Sequence, residues 1–445
     1  MTFDHKKNFI NLLFILIPIT IIAGNAATNL NIFLIVFFFL IHLTKDKKIF
    51  NKENKIFFFI FCLFTSYLLI SSLISEYFDK ENVFKAFLYL RFFLFALAIK
   101  FFIDNDKIDF VLIKKFWLIF LFIIIIDVFF ETIMGKNLLG FVSPNQGRVV
   151  SFFKDELIVG YFIATFGIIL FSSFIFKRHK YSLLLLFLLA AVFASGERAS
   201  FLKFFFTILM ATIFINKSFI DKKLFFSVCL LLIISFVLIF NFSNYQYFDN
   251  VKKRYSIRYE VKDNYYSVGG LALTKPAPCM VESCKGIIFD DHPNLYYKTH
   301  YGKYFLISKS IFLNNIYLGT GFRTFRKSCS DHIIVLENIY KLSTPGCTTH
   351  PHQIYYELIS DHGLLGTLLI LFIIFYLLIK PLQNFKIRED FFKLSLFFYL
   401  IAYFIPILPS GSFFTTVNSS VFWLVYGLYI SKNKLNNNKN IQTDI

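Results

Sequence analysis

Charged side chains are scarce in this 445-residue chain, at 17% against 57% hydrophobic, and the mean hydropathy is +0.63. That scarcity excludes a soluble protein wrapped around a large core. Strand alternation is missing from the apolar runs, which excludes a membrane β-barrel and leaves helices, which pair their own backbone groups in lipid. There is no internal repeat, and no low-complexity segment apart from the Asn- and Lys-rich tail after Ser431. The Gly-x-Gly at 319–321 lacks the Gly-Lys-Ser/Thr ending of a phosphate loop. Acid is the rarer charge, with 28 Asp and Glu against 46 Lys and Arg and a net charge of +18. Such an excess can mark a nucleic-acid binder, but these lysines lie in short loops between apolar runs. We therefore expect positive-inside topology and attraction to an anionic lipid bilayer, and no nucleic-acid partner.

What is present is a succession of apolar runs of roughly 15–20 residues, about the length that crosses a ~30 Å hydrocarbon layer. Twelve spans can be laid out, at about 9–24, 29–43, 56–74, 86–103, 116–130, 157–176, 181–194, 199–215, 224–241, 364–380, 391–408 and 412–430. The first run follows Lys6 and Lys7 as a signal peptide would, but a second follows at once, so we expect an uncleaved span. With the N-terminus in the cytoplasm, every alternate short loop is basic, as at Lys45–Lys55 and Lys177–Lys180. The expected fold is an all-α polytopic membrane protein. Residues 1–241 would hold spans 1–9, 242–363 one long outward loop domain, 364–430 spans 10–12 and 431–445 a cytoplasmic tail.

Four of the six cysteines, Cys279, Cys284, Cys329 and Cys347, fall in the long loop. An even set on the outward side is expected to form disulfides, and three pairings are possible. Cys279–Cys284 with Cys329–Cys347 is favoured, since the second bond would pin the segment after Gly321 against the stretch C-T-T-H-P-H-Q-I-Y-Y-E-L-I-S-D-H-G-L-L-G-T at 347–367. Free thiols are the alternative. That stretch gathers His350, His352, His362, Glu357 and Asp361 at the mouth of an apolar run, in a chain poor in polar groups. Thr348 or Thr349 is expected to cap a helix with Pro351 and His352 in its first turn.

Several cations stand out by position. Arg198, in S-G-E-R on a very short outward turn, either snorkels to the interface or holds a phosphate, with Glu197 beside it as an anchor. Arg148 lies in an outward loop, where solvation is the alternative to binding. Arg91 falls inside a span, where an arginine is costly and usually faces a cavity or a partner. Arg323 and Arg326 follow the glycine turn and could reach an anionic ligand. His350 and His352 could ligate a metal with Asp290, Asp291 and His292, but their spacing is not the helical i, i+4, so no metal is expected. A histidine acting as general base fits better, with a structural histidine as the alternative.

A long loop ending in His352-Gln353, nine residues, then Gly363-x-x-Gly366, in a chain with this span layout, resembles the O-antigen ligase and O-antigen polymerase superfamily. S-G-E-R at 195–198 and G-T-G-F at 319–322 support the resemblance. It implies a C-type membrane glycosyltransferase that moves a glycan from an undecaprenyl-diphosphate donor on the periplasmic face of the inner membrane, inverting and metal-independent. The acceptor would be a lipid A core sugar for a ligase, the favoured reading, or another carrier-bound glycan for a polymerase. His352 would correspond to the acceptor-handling histidine and Arg198 to a diphosphate-binding arginine. A second loop arginine expected some fifty residues before the histidine has no clear match, with Lys303 and His300 nearest. A transporter of the same lipid-linked glycan is the rival class; broken helices with paired ionisable groups would mark it.

Overall fold

The computed structural model describes residues 3–45, 52–144, 147–154, 156–173, 180–215, 295–383, 390–406 and 408–432, with three short strands between 260 and 272. Cys279, Cys284, Asp290, Asp291, His292 and the expected span at 224–241 lie outside them.

The first half is a run of helices: α1 (Phe3–Ile15), α2 (Ile17–Ala23), α3 (Asn25–Lys45), α4 (Lys52–Leu73), α5 (Lys80–Leu88), α6 (Leu90–Asp104), α7 (Phe110–Met134), α8 (Val159–Ser173), α9 (Lys180–Ala194) and α10 (Arg198–Phe214). Strands β1 (Glu260–Lys262), β2 (Tyr265–Val268) and β3 (Leu271–Ala272) form an antiparallel meander, the one sheet among the described residues. Then come α11 (Leu295–Lys298), α12 (His300–Asn314), α13 (Phe325–His332), α14 (Ile334–Asn338), α15 (Ile354–Ile379), α16 (Phe391–Ala402) and α17 (Thr416–Ile430). The protein is a helical membrane protein. Five stretches of the described residues have the length and hydropathy to cross a bilayer: Asn25–Thr44, Lys55–Leu73, Lys80–Asp104, Phe110–Met134 and Ile354–Gln383. Shorter apolar helices among the described residues include Val159–Ser173, whose 15 residues cover about 22 Å. The run at 9–24 is divided between α1 and α2, with Pro18 near the start of the second helix.

One apolar cluster runs through the helices from Ile10 to Ile430. Within it α17 packs on α6, and α10 lies against α16 and α8. Phe61 and Phe93 stack with centroids 4.3 Å apart, and Trp423 meets the Phe93 ring edge-on at 4.5 Å. Aromatic packing at such distances adds roughly 0.5–1.5 kcal/mol per pair beyond burial. A separate small core under the loop helices holds Tyr304, Ile307, Phe325, Cys329 and Leu336.

Two expectations about the histidine stretch are corrected. The helix begins at Ile354, with Gln353 as its cap: the Gln353 side chain accepts from the Tyr356 N–H at 2.9 Å. Neither Thr348 nor Thr349 caps it, and His352 precedes the helix in a left-handed conformation, φ +57°. A proline disfavours the helical region for the residue before it, so the chain stays irregular through His350-Pro351 and turns only at Gln353. Where the chain is expected to loosen, at Gly363, α15 is broken, with φ +60° and ψ −165°.

The break is held by the glycine turn. Leu364 N–H donates to Ile316 O at 2.7 Å, Leu365 N–H to Tyr317 O at 3.1 Å, Thr320 N–H to Ser360 O at 3.0 Å and Gly321 N–H to Asp361 O at 2.7 Å. A Cβ on Gly319 would stand 2.4 Å from Gly363 N, and one on Gly363 2.5 Å from Gly319 N. The two glycines therefore let two backbones touch. G-T-G-F is a clamp on a broken helix, which accounts for its backbone without a phosphate.

Cys329 and Cys347 are joined, with Cα atoms 5.8 Å apart. The bond ties α13 to the segment leading into His350, where Tyr304 also donates to Gly346 O at 3.0 Å. Closing a loop of this size is worth about 3 kcal/mol in the chain-entropy account. Non-reduced peptides of the native protein should contain the Cys329–Cys347 link by mass spectrometry; recovery of both residues as alkylated free thiols would remove it.

Candidate functional site

The site forms where two short turns meet the start of α15. Gly196, at φ +74°, lies against the 147–149 segment so closely that a Cβ would stand 2.0 Å from Gly147 O, and Val149 N–H donates to Ser195 O at 3.2 Å. The 147–151 segment is fixed from its other side by two buried carboxylates of α7. Glu131 accepts from Val150 N–H at 3.0 Å and Ser151 N–H at 2.7 Å, and Asp127 accepts from Leu138 N–H at 2.8 Å and the Ser151 hydroxyl at 2.6 Å. Arg148 is thereby delivered beside the S-G-E-R turn. It donates to Leu157 O at 2.6 Å and stands 3.7 Å from the Glu197 carboxylate.

Glu197 is mainly a cross-helix cap. Its carboxylate accepts from Gly160 N–H at 2.8 Å, Tyr161 N–H at 3.0 Å and the Ser200 hydroxyl at 2.8 Å. An acid at the first turn of α8 satisfies donors that have no partner within the helix. It also locks α8 to α10, so the carboxylate expected to anchor Arg198 is engaged instead by two helices and Arg148.

On the far wall, the 404–413 segment is laced to the start of α15. Ser410 N–H donates to His352 O at 3.0 Å, Gln353 Nε2 to Pro406 O at 2.8 Å and Tyr355 OH to Phe404 O at 2.7 Å. Glu357 accepts from the Ser412 hydroxyl and, at 3.0 Å, from Phe413 N–H. These bonds set His352 facing a cavity of about 400 Å³. It is lined by Arg148, Glu197, Arg198, Ser200, Lys203, Tyr301, His352, Tyr403, Ser410 and Asn418, with apolar Leu157, Ile158 and Pro409.

His352 packs in a ring cluster, with centroids 4.5 Å from His350, 5.8 Å from His300 and 5.6 Å from Tyr304. Burial, reinforced by His350 and His300, holds the His352 imidazole down at about 3. Burial and the Arg323 charge hold His350 down at about 4. Both rings are therefore neutral near pH 7, as a proton acceptor must be. Among the described residues no group of three or more His, Cys, Asp or Glu side chains is arranged to hold a metal ion.

His352, Arg198 and Arg148, far apart in sequence, thus share one cavity. The other candidates do not line it. Arg91 donates to Leu88 O at 2.7 Å and Asn29 Oδ1 at 3.0 Å and lies over the Phe92 ring, tying α6 to α3. Arg323 has φ +59°, and its N–H donates to Asp361 Oδ2 at 3.1 Å. Arg326 is exposed on α13. Lys303 is buried and donates to Ser343 Oγ at 2.6 Å. His350 reaches the site only through the His352 ring, and its Nδ1 is 3.0 Å from Thr349 Oγ1. Lys203, Tyr301, Tyr403 and Asn418 join the site without being anticipated from sequence. Lys203 alone carries a signal, being an ionisable residue inside an apolar run.

The fold and site define a multi-pass helical membrane protein with a cation-lined cavity at a helix–turn junction. Residues 183–371 match the family model described as O-antigen ligase. That match covers Arg198, Lys203 and His352, and it upholds the resemblance to the O-antigen ligase and polymerase superfamily. No curated protein matches the chain.

Proposed function

We propose that this protein is an O-antigen ligase-type glycosyltransferase of the bacterial inner membrane, moving a glycan from an undecaprenyl-diphosphate carrier to a lipid A core sugar on the periplasmic face. The observation that carries the reading is the convergence of Arg198, Arg148 and His352 on one cavity. In the transfer, the acceptor hydroxyl oxygen forms a bond to the anomeric carbon as the bond to the phosphate oxygen breaks. The diphosphate leaves with the electron pair, His352 takes the hydroxyl proton, and attack opposite the leaving group inverts the anomeric centre. Charge developing on the leaving diphosphate falls on the arginines, so no step calls for a metal. The apolar helix faces would hold the polyprenyl tail.

A transporter would share the broken helix α15. Its freed backbone groups, however, are taken up by residues 316–321, and Glu357 is occupied by Ser412 and Phe413. That favours a fixed frame over a moving gate.

Purified protein supplied with a lipid-linked donor and a lipid A core acceptor, with and without EDTA, tests the proposal. Expected is a glycan-capped core in both conditions. Lengthened carrier-bound chains without capped core would make the protein a polymerase. Loss of product in EDTA with recovery on adding a divalent ion would overturn the metal-free chemistry.

A further inference from the structure

We propose that Lys203 is a third anion-binding residue of the cavity, seated under Arg148 and Arg198, and that together they form a seat suited to two phosphates rather than one. This rests on the donor class proposed above and extends it to a residue outside the S-G-E-R, G-T-G-F and His-Gln motifs.

Lys203 lies five residues into α10, about 7.5 Å along the axis from Arg198. It is 6% exposed, its Nζ stands 4.8 Å over the Tyr403 ring, and it lines the cavity. Among the described residues no hydrogen bond or ion pair to its ammonium is found. Other buried lysines are provided for differently. Lys393 donates to the carbonyls of Leu428 and Tyr429 at the end of α17, and Lys303 donates to Ser343. A buried ammonium whose close neighbour is a ring face is costly in an apolar helix bundle unless a ligand completes its shell.

The charge balance points the same way. Among the described residues lining the cavity, Arg148, Arg198 and Lys203 accompany one carboxylate, Glu197. That carboxylate is already engaged by two backbone N–H groups, a hydroxyl and Arg148. Among the described lining residues the cationic side chains outnumber the carboxylates, which suits an anionic ligand. The first turn of α10, with Ala199 and Ser200 on the cavity wall, adds backbone donors of the same polarity. The three cations are not equivalent: Arg198 brings a planar guanidinium, Arg148 only the N–H groups not committed to Leu157 O, and Lys203 a compact point charge for a single oxygen.

The test uses the full-length protein in detergent, with farnesyl diphosphate and farnesyl monophosphate as probes. The wild type should bind the diphosphate more tightly than the monophosphate. Lys203→Met should weaken diphosphate binding by roughly 10- to 100-fold and erase the preference, while Lys203→Arg restores most of it. A purely structural lysine would shift thermal stability without changing that preference. Lys203→Gln, which keeps a polar head over Tyr403, gives the same answer should the methionine variant not fold. If folded Lys203→Met keeps both affinity and preference while Arg198→Ala loses binding, the role of Lys203 is overturned and the donor class stands. If the wild type binds neither probe, the donor class falls and this inference with it.

Discussion

His352→Ala is expected to lower glycan transfer by roughly 10²–10⁴-fold while leaving membrane insertion intact. The imidazole lines the cavity, and its backbone is anchored by Ser410, so its loss removes a proton acceptor without removing a wall. Its left-handed backbone provides the control. Asparagine tolerates that conformation well, so His352→Asn should lose as much activity as His352→Ala if chemistry is responsible, and recover if strain is. The pH profile is a sharper readout. Burial holds the free imidazole at about 3, so the neutral, active form persists as pH falls from 8 to 5, and kcat/KM should stay flat over that range. A bound diphosphate is an opposite charge close by, which favours imidazolium and raises its basicity. The acid limb of kcat, which reports the loaded enzyme, should therefore lie at higher pH than that of kcat/KM. Initial rates of the purified protein decide. Near-normal transfer by His352→Ala would remove His352 as the base, whereas a kcat/KM limb near 6.5 would remove only the depression of its imidazole by burial.

That His352 and Arg198 are legible in the sequence has a physical cause. In a chain this apolar, a cation on a tight turn between apolar helices or a histidine at the edge of a span has few bland explanations. Arg91 meets the same criterion, yet its cost is met by Asn29 and the Leu88 carbonyl. Sequence marks an intramembrane charge as needing a partner but does not say whether protein or ligand supplies it. Glu197 illustrates the converse, because its use at the first turn of α8 depends on Gly160, which has no Cβ to keep the turn away: one built there would stand 2.3 Å from Ser195 Oγ. Contacts of that kind join residues 37 apart and leave no periodic trace. The helix start is misplaced from sequence because two threonines before a proline look like a cap, whereas the local constraint of Pro351 on His350 postpones the helix to Gln353. Gly363 does mark a place where the chain loosens, but a helix broken there and sustained by a distant glycine turn looks, in sequence, like a loop ending.

Arg198→Ala should cost roughly 10²–10³ in kcat, and Arg198→Lys should recover little of it. Arg198 heads α10 and lines the same cavity as His352, and a leaving diphosphate gains charge as the glycosidic bond breaks. A guanidinium fork can follow that charge with two parallel hydrogen bonds, whereas an ammonium offers a point charge. Lys203 already supplies a point charge on the same helix, so a second lysine at 198 adds charge without the missing geometry. Arg148 cannot take over, because one of its nitrogens is committed to the Leu157 carbonyl and its charge lies beside Glu197. The loss should therefore fall mainly on kcat, with KM for the donor rising less, since the interaction strengthens as the bond breaks. Steady-state kinetics on purified variants separate the cases. A rise in KM at unchanged kcat would make Arg198 a docking residue, and full activity in Arg198→Lys would show that charge alone suffices at this position.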